Sequence, residues 1–310
     1  MFGVEPLLLI THADAGHADD LGTALEVLRT RASVEVCETS NPGELDGILH
    51  RAGSRPIVVA GGDGSLHAVV ATLHRRNDLG GKTLGLLPLG TGNDFARALD
   101  IPLDPAEAAE ALLSATPRPM DILVDELGEV VVNNVHAGAS ARASRTGATW
   151  KERLGPFGLG VVGYPIGAVL TAIRPPYVRL RIEVDGEVVA DMDRHVLMVA
   201  IGNGSSVGGG AEITPGADPG SGMLDVMISY AADPLARVGY ALDVLRRTHP
   251  ERDDVVTLTG KQVSISGEDF WISADGEISG PERRRTWHVE PAAYTMLAPT
   301  QTRTQPSSAS

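Results

Sequence analysis

Ile57-Val58-Val59-Ala60-Gly61-Gly62-Asp63-Gly64-Ser65 is an apolar run that breaks into a glycine turn carrying a carboxylate. A second stretch of the same kind follows: Leu84-Gly85-Leu86-Leu87-Pro88-Leu89 runs into Gly90-Thr91-Gly92-Asn93-Asp94-Phe95. Each predicts a strand, a flexible turn and then a helix. Glycine lets the backbone approach a ligand closely, and a helix N-terminus presents free N–H groups to an anion. An aspartate placed there can hold a divalent cation that neutralises phosphate. Ligands of open α/β sheets bind beyond the carboxyl ends of the strands, where both turns would lie. Two such turns therefore point to a nucleoside triphosphate site. Either turn alone would read equally well as a plain βα connection.

Outward from these turns the first part of the chain alternates strands and helices. Residues 6–10 predict a buried strand, 18–31 a helix with Leu21, Leu25 and Leu28 at helical spacing, 33–37 a strand and 43–51 a helix. Strand 56–60, helix 65–76, strand 83–87 and helix 93–99 follow. Pro105 opens a further helix to about Ser114, at the first helical position where proline is tolerated. This alternation predicts a parallel sheet with helices on both faces.

After about residue 120 the texture changes to short, often β-branched runs: 121–124, 129–135, 178–184, 187–190, 195–201, 223–230, 254–258, 262–266, 270–273 and 286–290. Val184-Asp185-Gly186-Glu187-Val188 is a hairpin signal. Residues 234–246 form the clearest helix of this half. The expectation is a β-sandwich. The tail from Pro299, rich in Thr, Gln, Ser and Pro, reads as disordered.

The 310 residues carry a formal charge of −14. That argues against nucleic-acid binding, where basic surface supplies most of the affinity. The lone cysteine, Cys37, excludes an internal disulfide, and no secretory leader opens the sequence, so a cytoplasmic location is expected. Gly81-Lys82-Thr83 resembles the end of a phosphate-loop motif, but Arg76 occupies the required upstream glycine position and a strand follows it. The first βα unit lacks a dinucleotide glycine fingerprint. Histidines 12, 17, 67 and 74 lack metal-ligand spacing. Asp275-Gly276-Glu277 reads by spacing alone as a solvated hairpin turn, and Asp185-Gly186-Glu187 repeats the tripeptide.

In this order, the motifs resemble the catalytic domain of the diacylglycerol kinase family of lipid kinases, which includes sphingosine and ceramide kinases and is related to NAD kinases. Gly61 to Ser65 match its Gly-Gly-Asp-Gly-Thr/Ser signature, and Pro88 to Arg97 match its second, more specific one. Asp121 after Pro119-Met120, the turn from Asn134 to Gly138, Gly208-Gly209-Gly210, the stretch Pro215 to Val226 and Asp275-Gly276-Glu277 match later features. The likeness spans about residues 6 to 298. Two departures stand out. Thr11-His12-Ala13-Asp14-Ala15-Gly16 replaces the family's Asn-Pro-x-x-Gly, and Ser221 stands where bacterial members carry an aspartate for a structural magnesium. Asp218 and Asp225 are the nearby carboxylates that could compensate.

The resemblance implies an N-terminal α/β domain over 1–122, a β-sandwich lipid-substrate domain over 123–290, and a strand at 291–298 returning to the first domain. It implies a nucleotide between the two. It also implies ATP-dependent transfer of phosphate to a lipid alcohol, with diacylglycerol as the first expectation. In that scheme Gly61, Gly62, Asp63, Gly64, Ser65, Gly90, Thr91, Gly92, Asn93 and Asp94 bind the nucleotide. Asp63, Asp94 and Asp121 organise Mg²⁺. Asp275 is the general base toward the acceptor hydroxyl, and Glu277 orients it or binds metal. A hydroxyl is far less acidic than a carboxyl group, so proton transfer would come late, as the new P–O bond forms.

A basic and apolar island supports a lipid acceptor independently. Arg142, Arg145, Lys151, Arg153, Arg174, Arg179 and Arg181, with Glu152 the one acid among them, bracket the uncharged 154–173. That stretch has the length of a membrane span but is rich in glycine and holds Pro156 and Pro165, so a buried or interfacial segment is the better reading. The island predicts transient contact with an anionic membrane, at the inner face of the cell membrane. The alternative is a core segment with solvated flanks. A homodimer is a further expectation. Competing functions are a kinase for a soluble acceptor in the manner of NAD kinase, and a non-catalytic lipid- or nucleotide-binding protein.

Overall fold

The computed structural model describes residues 6–12, 18–138, 178–231 and 233–300. The chain forms two units. One runs from the N-terminus to Pro119 and is rejoined by the chain at Tyr294; the other is Met120–Ala293. The division falls close to Asp121, which belongs to the second unit.

In the first unit β1 (Leu7–His12), α1 (Ala18–Leu28), β2 (Val34–Thr39), α2 (Pro42–Arg51), β3 (Ile57–Gly61), α3 (Asp63–Arg75), β4 (Thr83–Pro88), α4 (Asp94–Ala98) and α5 (Pro105–Ser114) alternate as the sequence predicts. β1 pairs in parallel with both β2 and β3, and β3 pairs in parallel with β4. Thr295 and Met296 of the last strand add to the other edge of β4, also in parallel, the returning strand expected from the resemblance. β1, β3 and β4 are apolar on both faces because helices cover both. α3 buries Leu66, Val69, Val70 and Leu73, the i, i+3, i+4, i+7 set of one helical face. This register brings the carboxyl ends of β3 and β4 side by side, with Gly61 opposite Pro88.

In the second unit β5 (Thr116–Asp125, which enters from the first), β6 (Val130–Val131), β7 (Asn134–Gly138), β8 (Val178–Val184), β9 (Glu187–Ala190), β10 (His195–Val196), β11 (Met198–Gly202), β12 (Ser206–Val207), β13 (Ala211–Glu212) and β14 (Leu224–Ser229) lead to α6 (Pro234–Arg246), then β15 (Val255–Gly260), β16 (Gln262–Ala274) and β17 (Glu277–Ala298). The two runs 262–266 and 270–273 are one bent strand. Its first part pairs with β8 and its last part with β7, while its pairing with β17 shifts register between Ser266 and Ile272. Gly267 permits the bend: its φ is +146°, and a Cβ there would lie 2.4 Å from the Arg179 carbonyl oxygen. β16 thus feeds both layers of the sandwich. Between them lies a core of Val135, Ala137, Leu180, Ile182, Val199, Ile201, Val226, Ile228, Ile265, Ile272 and Trp287, among others. The alternate residues Met198, Ala200 and Met227 point the other way, where Tyr240 of α6 joins them in a smaller cluster.

The run 129–135, expected as one strand, breaks at 132–133 into β6 and β7. That break shapes the site described next. The opening turn at 13–16 and the island from Arg142 to Arg174 lie outside the described residues. No helix among the described residues is long and apolar enough to cross a membrane.

Candidate active site

The two glycine turns of the first unit touch through their backbones. The Leu89 N–H donates to the Gly61 carbonyl at 3.1 Å. A Cβ on Gly90 would sit 2.4 Å from the Gly62 Cα, and one on Gly61 would sit 2.4 Å from Ser65 Oγ. These glycines are required by close approach within the protein itself. Gly64 differs. A Cβ there would meet nothing within 4 Å, and its φ is not positive. A glycine inside a helix is destabilising by roughly 0.5–1 kcal/mol relative to alanine. Nothing in the fold requires it, and the space it leaves at the start of α3 is open to a ligand. Gly62, which precedes α3, supplies no side-chain cap. The first turn of α3 therefore offers N–H groups of the kind that bind phosphate.

α4 is treated in the opposite way. The Asp94 N–H donates to Asp63 Oδ2 at 3.0 Å and the Phe95 N–H to Asp63 Oδ1 at 2.9 Å. Asp63 thus caps α4 from the first turn of α3. Asn93, left-handed at φ 53°, is also spent inside its turn. Its Oδ1 accepts from Gly90 N–H, and its Nδ2 donates to the Pro88 and Gly90 carbonyls. Both amide protons are committed within the turn, and the Asn93 side chain is buried there, bracing the loop. Asp94 is buried at the first position of α4, while Thr91 is exposed. Mg²⁺ sites of phosphoryl-transfer enzymes use one or two carboxylates and fill the remaining positions with phosphate and water. Asp63, with lone pairs beyond the two it gives to α4, and Asp94 fit that requirement.

In the second unit Asp275 occupies a two-residue turn, with φ of 45° at Asp275 and 89° at Gly276, between the paired Ala274 and Glu277. Its carboxylate accepts three backbone N–H groups: Val132 to Oδ2 at 2.7 Å, and Asn133 and Asn134 to Oδ1 at 2.9 and 3.1 Å. The break between β6 and β7 aims these three groups at one carboxylate. Glu277 is exposed. Asp121, 2 % exposed, accepts Gly222 N–H at Oδ2 (2.6 Å) and Ala292 N–H at Oδ1 (2.8 Å). It anchors the 218–222 loop and the late part of β17.

A buried amide network holds this arrangement. Asn203 Nδ2 donates to the Asp121 and Val132 carbonyls, while Asn133 and Asn134 both donate to the Ser206 carbonyl. The Asn134 Nδ2 is thereby committed, so its Oδ1 accepts from His136 Nε2 at 2.8 Å. His136 is then the Nε2–H tautomer, with Nδ1 buried and unpartnered. Burial pushes the imidazole down to about 4, against the opposing pull of the Asp275 charge. The stretch from Asn134 to Gly138, expected as a turn, is strand β7, and Asn203 is a site residue that none of the motifs marks. An Asn-Gly pair ending a strand was the one signal for it.

Around Ser221 the loop satisfies itself. Ser221 Oγ donates to the Met223 carbonyl and accepts the Met223 N–H, and Asp218 Oδ1 accepts Gly220 N–H. Asp225 is pushed up to about 6, first by burial and then by the Asp218 charge. No group of three or more His, Cys, Asp or Glu gathers as a metal site among the described residues. The remaining pair does not make the ligand set that the resemblance implies for a structural magnesium.

Comparison with known proteins agrees with both units. The diacylglycerol kinase catalytic domain model matches residues 6–124, and the YegS C-terminal NAD kinase beta sandwich-like domain model matches 133–298. The chain belongs to the YegS-like lipid kinase family. A relative from Xanthomonas campestris pv. campestris (strain 8004), named "Probable lipid kinase YegS-like", is 30% identical over 91% of this chain and 92% of its own. One of the same name from Stenotrophomonas maltophilia (strain K279a) is 34% identical over 71% of this chain and 72% of its own. A crystal structure of a diacylglycerol kinase from Bacillus anthracis str. Sterne superposes with a TM-score of 0.73, covering 95% of this chain and 97% of that one. At 23% identity that likeness establishes the fold.

Proposed function

We propose that this member of the family transfers the terminal phosphoryl group of ATP to the hydroxyl of a lipid alcohol, with diacylglycerol as acceptor and phosphatidate as product. The observation that carries the reading is the start of α3. An uncapped helix of 13 residues, Asp63–Arg75, carries Gly64 in its first turn, a glycine that neither backbone angle nor packing requires. Polyphosphate is the ligand suited to a helix N-terminus that no side chain caps.

In this reading the N–H groups of the first turn of α3 hold phosphate oxygens, and the locked Gly62–Gly90 contact fixes their direction. Asp63 and Asp94 are the residues that would hold Mg²⁺, which when bound neutralises charge on the phosphates. Asp275 takes the proton of the acceptor hydroxyl late in the transfer, its carboxylate held in one orientation by three N–H groups. Glu277, exposed two residues on, is assigned to orient Asp275 or bind metal. Asp121 is assigned to anchor the loop around Gly222.

The test is purified protein with Mg-ATP and mixed micelles containing diacylglycerol, ceramide or a sphingoid base, plus NAD as soluble acceptor, with product masses read directly. Phosphatidate as the dominant product is expected. Phosphorylation of NAD alone, or of nothing offered, would overturn the proposal.

A further inference from the structure

α6 is apolar on the wrong side. Its inward face carries Arg237 and Tyr240, both buried, with the Tyr240 hydroxyl against Met198 and Met227 sulfur, and Ala236 and Val244 packed beside them. Its outward face carries Leu235 (87 % exposed), Val238 (56 %), Leu242 (45 %) and Leu245 (79 %). A surface helix normally turns its polar residues to water. Here the exposed stripe is the more aliphatic of the two, and a contiguous apolar patch of this kind marks an interaction surface.

We propose that this stripe pairs with the same stripe of a second copy of the chain, helix against helix and antiparallel. Two observations select that occupant. The first is spacing. The positions 235, 238, 242 and 245 step by three, four and three, the a/d seam of packed helices. Read backwards, the steps are the same. An antiparallel copy therefore sets Leu235 opposite Leu245 and Val238 opposite Leu242 about a two-fold axis, as a self-complementary interface requires.

The second observation is charge. Asp233, exposed at the N-terminal end, makes no capping bond to its own helix. Arg246 and Arg247 lie at the C-terminal end, 68% and 64% exposed, the first in a loose ion pair with Asp243 at 3.9 Å and the second paired with Glu212 at 3.1 Å. Antiparallel pairing puts each Asp233 against the other copy's arginines, twice per dimer, and opposes the helix dipoles favourably. An anionic membrane fits less well, because Asp233, Glu251 and Asp253, all exposed near the helix, would meet its phosphates. The stripe is a helix of about 20 Å and falls short of the ~800 Å² per partner of a standard stable interface, so the pairing is reversible. None of this depends on the identity of the acceptor lipid.

The experiment is sedimentation equilibrium of the full chain from about 1 to about 100 µM, a range bracketing the micromolar affinity of weak interfaces. Wild type should shift from the monomer mass toward twice that mass. L235Q/L245Q, altered only at exposed positions, should remain monomeric with an unchanged melting temperature. D233R alone and R246D/R247D alone should each weaken pairing on the order of tenfold, and their equimolar mixture should restore it. Four results would overturn the proposal: wild type monomeric at the highest concentration; L235Q/L245Q pairing as wild type does; no recovery in the mixture; or stripe-dependent binding to phosphatidylcholine–phosphatidylglycerol vesicles by a chain that stays monomeric. Kinase activity toward micellar lipid, measured in parallel, separates failure of this proposal from failure of the functional one.

Discussion

Asp275 and Asp185 are structural twins. Each opens a two-residue Asp-Gly turn with both residues at positive φ, and each uses its carboxylate to grip backbone N–H groups of another segment. Asp185 Oδ1 accepts from Lys261 and Gln262 at 2.9 and 2.8 Å. Asp275 accepts from Val132, Asn133 and Asn134. The shared geometry explains why the tripeptide occurs twice, and it supplies an internal control. D275N and D185N should lower the melting temperature by comparable, modest amounts. Turnover should fall by roughly 10²–10⁴ in D275N alone. Equal activity in the two variants would remove Asp275 from the chemistry.

The glycines of the two turns separate in the same way. G90A drives a Cβ to 2.4 Å from Gly62 Cα, and backbone atoms cannot yield cheaply. A loss of about 1–3 kcal/mol in urea unfolding is expected. G64A meets open space at an ordinary φ, so the fold should be unharmed or gain up to roughly 1 kcal/mol. Its KM for ATP should nonetheless rise about tenfold, a loss of ~1.4 kcal/mol in binding. An unaltered KM would show that the start of α3 does not meet the phosphates.

Asp63 joins the two turns through the α4 N-terminus. D63A removes both capping bonds and should cost on the order of 1–2 kcal/mol of stability. D63N, which keeps one acceptor oxygen, should cost less. Urea unfolding of the pair checks the order, and equal stabilities would argue against a capping role.

Buried His136 and half-buried Asp225 set opposing pH dependences. A free histidine titrates near 6.5 and His136 is pushed down to about 4. Between those values the unfolded chain carries a proton that the native chain refuses, so stability is lost as pH falls through that window. From pH 7 to 5 this amounts to about 2 kcal/mol. Asp225 runs the other way. It is pushed up to about 6, so the native chain keeps a proton that the unfolded chain has released, and its contribution is lost as pH rises through about 6. H136N should therefore become more stable at pH 5 relative to pH 7, and D225N less so, each compared with wild type. Parallel pH curves for H136N and wild type would contradict the assignment.

Much of the fold was legible in the chain. Helices α2, α5 and α6 fall where apolar spacing and proline place them, because caps and periodicity are local properties. The Asp185-Gly186 hairpin was readable for the same reason. The bend of β16 was not, since it follows from Gly267 meeting the Arg179 carbonyl, a residue distant in sequence. Nor was the break at 132–133, where strand propensity yields to three N–H groups gathered by Asp275.

The sequence by itself determined that a parallel α/β unit carries two glycine turns and that a β-rich unit follows, because strand and helix periods, turn residues and helix starts are written in neighbouring positions. Only the tertiary structure decided what each polar side chain does. Asp63 became a cap, Asn93 a turn brace and Asp121 an anchor, because a carboxylate or amide bonds to whichever backbone groups the packed strands bring within about 3 Å. The same packing left Gly64 facing open space and turned the aliphatic face of α6 outward.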